Sequence, residues 1–268
     1  MQKKRMMVEE LVRTAGRVGD LLIPRECAVC GRRLLEGERH LCIFCEADLP
    51  LTYFWNWHAN PMSDRLNALI QRDMVKELED GGPLPERMGR ARAAALFYYM
   101  SEAGYKKIPQ KVKYWGDRPA GRFYGRMLGR FIALSGHFGD IDTVVPVPLH
   151  WTRKWKRGYN QAEVIAAGIA AEIGAELRTD ILLRARRTDT QTRLHDSEKA
   201  RNVSGAFRIR ERYLHEERPK YGRERHFLIV DDVFTTGATI ASCCDSLFGQ
   251  FGNSISVSAA TLGFVDRG

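Results

Sequence analysis

Between His226 and Val233 the chain runs His-Phe-Leu-Ile-Val-Asp-Asp-Val, almost unbroken apolar residues ending on two adjacent acids, and passes directly into Phe234-Thr235-Thr236-Gly237-Ala238-Thr239. An apolar run without polar alternation suits a strand buried on both faces, which is the habit of parallel sheets. A helix is expected from Ala238, with Ile240, Cys244, Leu247 and Phe251 on one face, and Ile255 to Leu262 reads as a last strand. The same alternation appears upstream. Thr143 to Val147 is a β-branched run, Ala162, Ile165, Ala166, Ile169 and Ile173 trace a helix face, and Leu177 to Leu183 reads as a second strand. Strand, helix, strand order predicts an α/β fold with a parallel sheet covered on both faces, and ligands outside the carboxyl ends of its strands. A site is therefore expected at Pro146, from Arg184 onward, and at Asp231 to Thr239.

The last of these segments carries the sharpest chemistry. Backbone N–H groups at a helix N-terminus favour an anion, Gly237 lets the chain approach it closely, and Thr235, Thr236 and Thr239 add hydroxyls. Two carboxylates repel a phosphate but accept hydrogen bonds from the vicinal hydroxyls of a ribose. The pattern therefore fits a sugar phosphate. A plain strand end with a threonine cap explains one threonine, but not two acids, three threonines and a glycine within nine residues. No G-x-x-x-x-G-K-[ST] or G-x-G-x-x-G motif occurs, which disfavours nucleotide triphosphatases and dinucleotide enzymes.

Cys27, Cys30, Cys42 and Cys45 form C-x2-C-x11-C-x2-C within nineteen residues. Two such turns bring four thiolates to the corners of a tetrahedron, the arrangement of a closed, structural Zn²⁺ site. Two disulfides are the competing reading, disfavoured by a reducing cytoplasm, and His40 is a lesser alternative ligand. Cys243 and Cys244 lie in the apolar pattern of the last helix and are assigned no chemistry.

The chain has 268 residues and a formal net charge of +9, from 42 Lys and Arg against 33 Asp and Glu. Between Lys106 and Arg157 stand twelve basic and three acidic residues, so this one segment holds the whole excess. Tyr114, Trp115, Phe123, Tyr124, Phe131, Trp151, Trp155 and Tyr159 interleave with it, the mix that tracks phosphates and stacks bases in single-strand binders. The plainer alternative is a solvated helix face, since Lys113, Arg122, Arg126 and Arg130 recur at near-helical spacing opposite Phe123, Met127, Leu128 and Phe131. Lys113, Arg153, Lys154 and Arg157 are the candidate polyanion contacts, with pyrophosphate as the other anion that Arg153, Lys154 and Arg157 would serve. No apolar run approaches the roughly 20 residues of a membrane helix. Val8, Leu11, Val12, Ala15 and Val18 follow amphipathic spacing rather than a signal peptide's apolar core, so a cytoplasmic protein is expected.

Ile229 to Thr239 resembles the phosphoribosyl pyrophosphate (PRPP) motif of type I phosphoribosyltransferases, and the chain resembles one branch of them, the ComF family of competence proteins. The resemblance covers the four-cysteine ribbon, Lys113-Tyr114-Trp115-Gly116-Asp117, Val145-Pro146-Val147-Pro148-Leu149, and Arg153, Arg157, Gly158, Tyr159, Asn160 and Gln161. It continues through Arg184, Thr190-Gln191, Leu194, Arg201-Asn202-Val203 and Ala206-Phe207. It implies a type I phosphoribosyltransferase fold at 91–268, a helix and zinc ribbon at 1–50, and a linking helical segment at 51–90. It further implies PRPP held by Val233, Phe234, Thr235, Thr236, Gly237, Ala238 and Thr239, with Asp231 and Asp232 on the ribose. Pro146, Val147, Pro148 and Leu149 would cradle pyrophosphate with Mg²⁺. Residues 184–203 would form a lid from which Arg201 neutralises departing charge, with Arg186, Arg187 and Lys199 as further cations. The implied role is natural transformation, with single-stranded DNA and other DNA-uptake proteins as partners, the latter through the ribbon. The alternative is a catalytically silent fold that binds DNA and partners without turnover.

Overall fold

A computed structural model describes residues 24–79, 91–100, 104–114, 116–185, 205–214, 225–252 and 255–266, apart from the side chains of 73, 74, 76–78, 153 and 156. The amphipathic segment at 8–18, Trp115 and the lid cations Arg186, Arg187, Lys199 and Arg201 lie outside the described residues. The main sheet has five strands: β1 (Arg92–Tyr98), β2 (Thr143–Pro146), β3 (Glu176–Leu177), β6 (Arg225–Phe234) and β7 (Ile255–Phe264). Their order is β1-β7-β6-β2-β3, and every pairing is parallel, as expected from the unbroken apolar strands. The segment read as one strand at 177–183 divides. Leu177 closes β3, whereas β4 (Leu182–Arg184) pairs antiparallel with β5 (Phe207–Ile209) in a separate two-stranded sheet. Strand β1, with three alanines, is not among the strands expected from the sequence.

The helices are α1 (Ile43–Ala47), α2 (Pro61–Glu79), α3 (Lys107–Tyr114), α4 (Arg118–Ser135), α5 (Trp151–Arg157), α6 (Gln161–Ile173) and α7 (Ala238–Phe251). Asn60 starts α2 by accepting from the amides of Met62 and Ser63, and its Nδ2 donates to the Ala93 carbonyl of β1 at 2.9 Å. Asn67 repeats the link, exchanging hydrogen bonds with both backbone groups of Ala91. The outer edge of β1 is covered by residues 50–52, where Thr52 N–H donates to the Leu96 carbonyl and Tyr98 N–H to that of Pro50.

Helices α4 and α6 meet almost backbone to backbone. Gly121, Gly125 and Gly129 recur every four residues on α4 and face Val164, Ile165 and Ile169 of α6, while Gly168 of α6 faces the backbone of Arg122 and Arg126. A Cβ on Gly168 would stand 2.5 Å from the Arg122 carbonyl oxygen, and one on Gly125 would overlap that of Ile165. The opposite side of α4 is aromatic: Phe131 stacks on Trp55 at 4.5 Å with the rings 4° from parallel.

Gly125→Ala sets helix propensity, which favours alanine by about 1 kcal/mol, against overlap with an immobile carbonyl. Overpacking wins, and we expect a net loss of about 2 kcal/mol in urea unfolding. Gly249 in α7 has nothing within 4 Å of an added Cβ. Gly249→Ala should therefore stabilise by about 0.5 kcal/mol. If both substitutions stabilise, the α4–α6 contact is not as close as described.

Candidate functional site

The carboxyl ends of β2 and β6 carry the site. Phe227 stacks on Phe251 of α7 at 5.6 Å, whereas Asp232 lies against α6, so odd-numbered side chains of β6 face α7 and even-numbered ones face α6. The two adjacent acids thus occupy opposite faces of one strand. They also lie within β6, which runs on to Phe234 because β7 keeps pairing with it, and not beyond its tip. Asp232 is 8% exposed. Gln161 Nε2 donates to its Oδ2 at 3.5 Å, and Lys113 Nζ stands 3.8 Å from the same oxygen. Arg157 completes the row by donating to Gln161 Oε1 at 3.0 Å while its guanidinium lies over the Tyr114 ring. Asp231 is half-buried on the other face. Burial first, and then the charge of Asp232, push its carboxyl up to about 8, against the opposing hydrogen bond from the Asp232 amide and the attraction of Lys113.

After β6 the chain turns at Gly237, with φ of 86°, where a Cβ would stand 2.5 Å from the Phe234 ring. Thr235 is exposed, and Thr236 and Thr239 are half-buried. No acceptor among the described residues takes the amides of Thr236, Gly237 or Thr239, so these donors are available at the start of α7. Arg65 of α2 braces the turn by donating to the carbonyls of Thr235, at 3.0 Å, and Val265, at 3.1 Å. Beside it, Val147 N–H donates to the Val230 carbonyl, and Asn160 Nδ2 donates to the Val147 carbonyl at 2.9 Å while its Oδ1 caps α6. The Pro146–Leu149 turn is thereby fixed to both β6 and α6. Cys243 and Cys244 are fully buried in α7, and that burial pushes both thiols up, in keeping with residues that pack and do not react.

The four ribbon cysteines bring their sulfurs within 4.8 Å of one another. Cys30 and Cys42 are 3.8 Å apart, close to the edge of a tetrahedron with Zn–S bonds of about 2.3 Å. Burial raises Cys27, but hydrogen bonds from the amides of Cys30, Cys42 and Val29 and from the Cys30 thiol outweigh it and hold the thiol at about 6; burial and the neighbouring thiols push Cys45 the other way. The donor set suits a structural Zn²⁺. His40 is not part of it: with φ of 51°, its ring lies 5.3 Å from that of Phe123 and 6.3 Å from that of Tyr124, docking the ribbon on α4. Tyr105 Oη donates to Asp48 at 2.9 Å and Lys107 Nζ to the Val29 carbonyl at 3.0 Å, so the segment that carries Lys113 is anchored to the ribbon as well.

No sequence-family profile matches the chain. Over 106 residues it is 36% identical to the "DNA utilization protein YhgH" of Escherichia coli strain K12, and 37% identical to the protein of that name from Salmonella typhimurium. The matched segment covers 40% of this chain and 43% of either relative. "Competence protein F" of Haemophilus influenzae is 31% identical over 99 residues, 37% of this chain and 41% of that protein. These names support the resemblance to the ComF family, and the chain matches less than half the length of each of these relatives. No helix among the described residues of this chain is long and apolar enough to cross a membrane.

Three of the four candidate polyanion contacts have other engagements. Lys113 faces Asp232, Lys154 donates to Glu163 at 3.0 Å, Arg157 holds Gln161, and the Arg153 side chain lies outside the described residues. Gln161 and Arg65 are site-forming residues that the sequence reading gave no role. Gln161 ends the Arg157–Gln161 block and was legible as part of it. Arg65 reaches a carbonyl 170 positions away, and no local pattern signals that.

A carboxyl whose pKa is higher folded than unfolded contributes its full stability below the unfolded value, near 4, and loses it as pH rises to about 8. Asp231→Asn should therefore raise the melting temperature at pH 8 and leave it nearly unchanged at pH 4. An equal shift at both pH values would refute the raised pKa. Zinc content by atomic absorption should be one per chain, and Cys42→Ser should lower it and deprotect the amides of 25–45 to hydrogen exchange.

Proposed function

We propose that this chain binds PRPP at the carboxyl edge of β2 and β6 and transfers its phosphoribosyl group to an acceptor nucleophile. The role served is the one named in its relatives, competence and the utilisation of DNA. The observation that carries the reading is the convergence of four features on one sheet edge. These are the Asp231–Asp232 pair, the tethered Pro146–Leu149 turn, the glycine turn with unengaged amides, and the Lys113 ammonium. The 5′-phosphate would accept from the Thr235–Thr239 turn. Ribose hydroxyls would donate to the carboxylates, and the diphosphate, with Mg²⁺ as part of the substrate, would lie at Pro146–Leu149. The bond from C1 of the ribose to the diphosphate oxygen breaks, pyrophosphate leaves with the electron pair, and the acceptor's lone pair closes on C1 as its proton passes to solvent. Positive charge grows at C1 in this step, which Asp232, beside Lys113, would offset, while Asp231, held toward its neutral form, would contribute a hydrogen-bonding carboxyl.

The two acids lie on opposite faces of β6, so the ribose would straddle the strand end. Asp232 would sit on the diphosphate side, and Asp231 on the side of Arg184, where the 184–203 segment begins. Calorimetry with PRPP and Mg²⁺ should give binding that Asp231→Asn with Asp232→Asn weakens at least tenfold. Equal affinity in the wild type and the double variant would remove the carboxylates from the reading.

A further inference from the structure

One cleft of the molecule lies apart from the acid pair. It has a volume of about 1140 Å³ and runs along α4, with the ribbon on one side and the start of α6 on the other. Arg118, Arg122, Arg126 and Arg130 all line it and all are exposed. Their four-residue spacing sets them in one row, each about 6 Å from the next along the helix. Arg39 and His40 of the ribbon form the facing wall, and Phe123 and Phe131 contribute the ring surfaces of the floor. At the α6 end lies Tyr159, 7% exposed, whose hydroxyl has no hydrogen-bond partner among the described residues.

The charge of this row is not cancelled. Arg126 and Arg130 share a single carboxylate, Glu172, at 2.5 and 2.9 Å. Arg118 lies over the Tyr159 ring and donates only to a neutral carbonyl, that of Gly158. Arg122 has no partner among the described residues. Of the two acids in the lining, Glu163 is engaged by Lys154, so Glu46 and the shared Glu172 stand against five arginines. A linear row of guanidinium groups beside aromatic rings matches a chain with a phosphate at every step and a planar base between.

We propose that a single-stranded nucleic acid lies in this cleft, with its phosphates on the Arg118–Arg130 row and its bases toward Phe123 and Phe131. Rings stack only on bases that are unpaired, which favours a single strand over a duplex. The path ends at the start of α6, where Asn160 and Gln161 already connect to Val147 and Asp232. A strand in the cleft is thereby led to the rim of the acid-pair site. The inference rests on the nucleic-acid half of the proposed function and is independent of PRPP.

The test is fluorescence anisotropy of the full-length, zinc-loaded protein with a labelled thymidine oligonucleotide of about 20 residues. Arg122→Glu should weaken binding several-fold without loss of fold, since it breaks no contact among the described residues. Arg122→Glu with Arg130→Glu should weaken it more than tenfold. The double variant should also reduce the slope of log affinity against log salt by roughly 1.4, as two phosphate contacts are lost. Unchanged affinity in the double variant would overturn the inference, and so would equally tight binding of a blunt duplex of the same length. Loss of oligonucleotide binding in Asp231→Asn with Asp232→Asn, but not in the arginine variants, would place the strand at the acid pair and likewise overturn it. PRPP calorimetry on the arginine variants should match wild type, so failure of the PRPP reading is seen separately.

Discussion

The near-contact of two helix backbones organises one whole side of this protein. Because Gly121, Gly125, Gly129 and Gly168 remove the side chains that would hold α4 and α6 apart, the two helices lie closer than side-chain ridges allow. That approach fixes α6 against β2 and β6, which sets Asn160 beside the Val147 carbonyl and Gln161 beside Asp232. It also decides what α4 shows to the outside. With glycines turned inward at every fourth position, the arginines one residue further along are all turned outward together.

The acid-pair site shows how a strand shares its chemistry between two compartments. Asp232 sits with a lysine and a glutamine on one face, and Asp231 is held toward its neutral form on the other by burial and by its neighbour's charge. Of the cations that sequence suggested for an external partner, Lys113 and Arg157 take part in this order. Lys113 in particular belongs to the acids, and it reaches them from a helix whose other end is tied to the ribbon through Tyr105 and Lys107.

Much of this was legible in the chain itself. The unbroken apolar strands announced a parallel sheet, and the C-x2-C pairs announced a tetrahedral sulfur cluster, because in both cases a short local pattern carries the physics. Three features were not legible for equally physical reasons. Strand β1 is rich in alanine, a residue of helical preference, and becomes a strand only because β7 pairs with it. That β6 runs past both acids, so that strand alternation divides them between its faces, depends on the continued pairing with β7. The charge pattern between Lys106 and Arg157 showed where cations are dense, but only the packing of α4 distinguishes those that are neutralised from those left facing a cleft.

The position of β7 has a consequence for how the molecule comes into being. It follows every other strand of the main sheet in the chain, yet it lies between β1 and β6 and supplies hydrogen bonds to both. Without it, β1 and β6 would each keep an unpaired edge. Completion of the sheet therefore waits on contacts distant in sequence, and such contacts form slowly. An unpaired apolar strand edge is a template for aggregation, so β7 protects β1 and β6 as well as joining them.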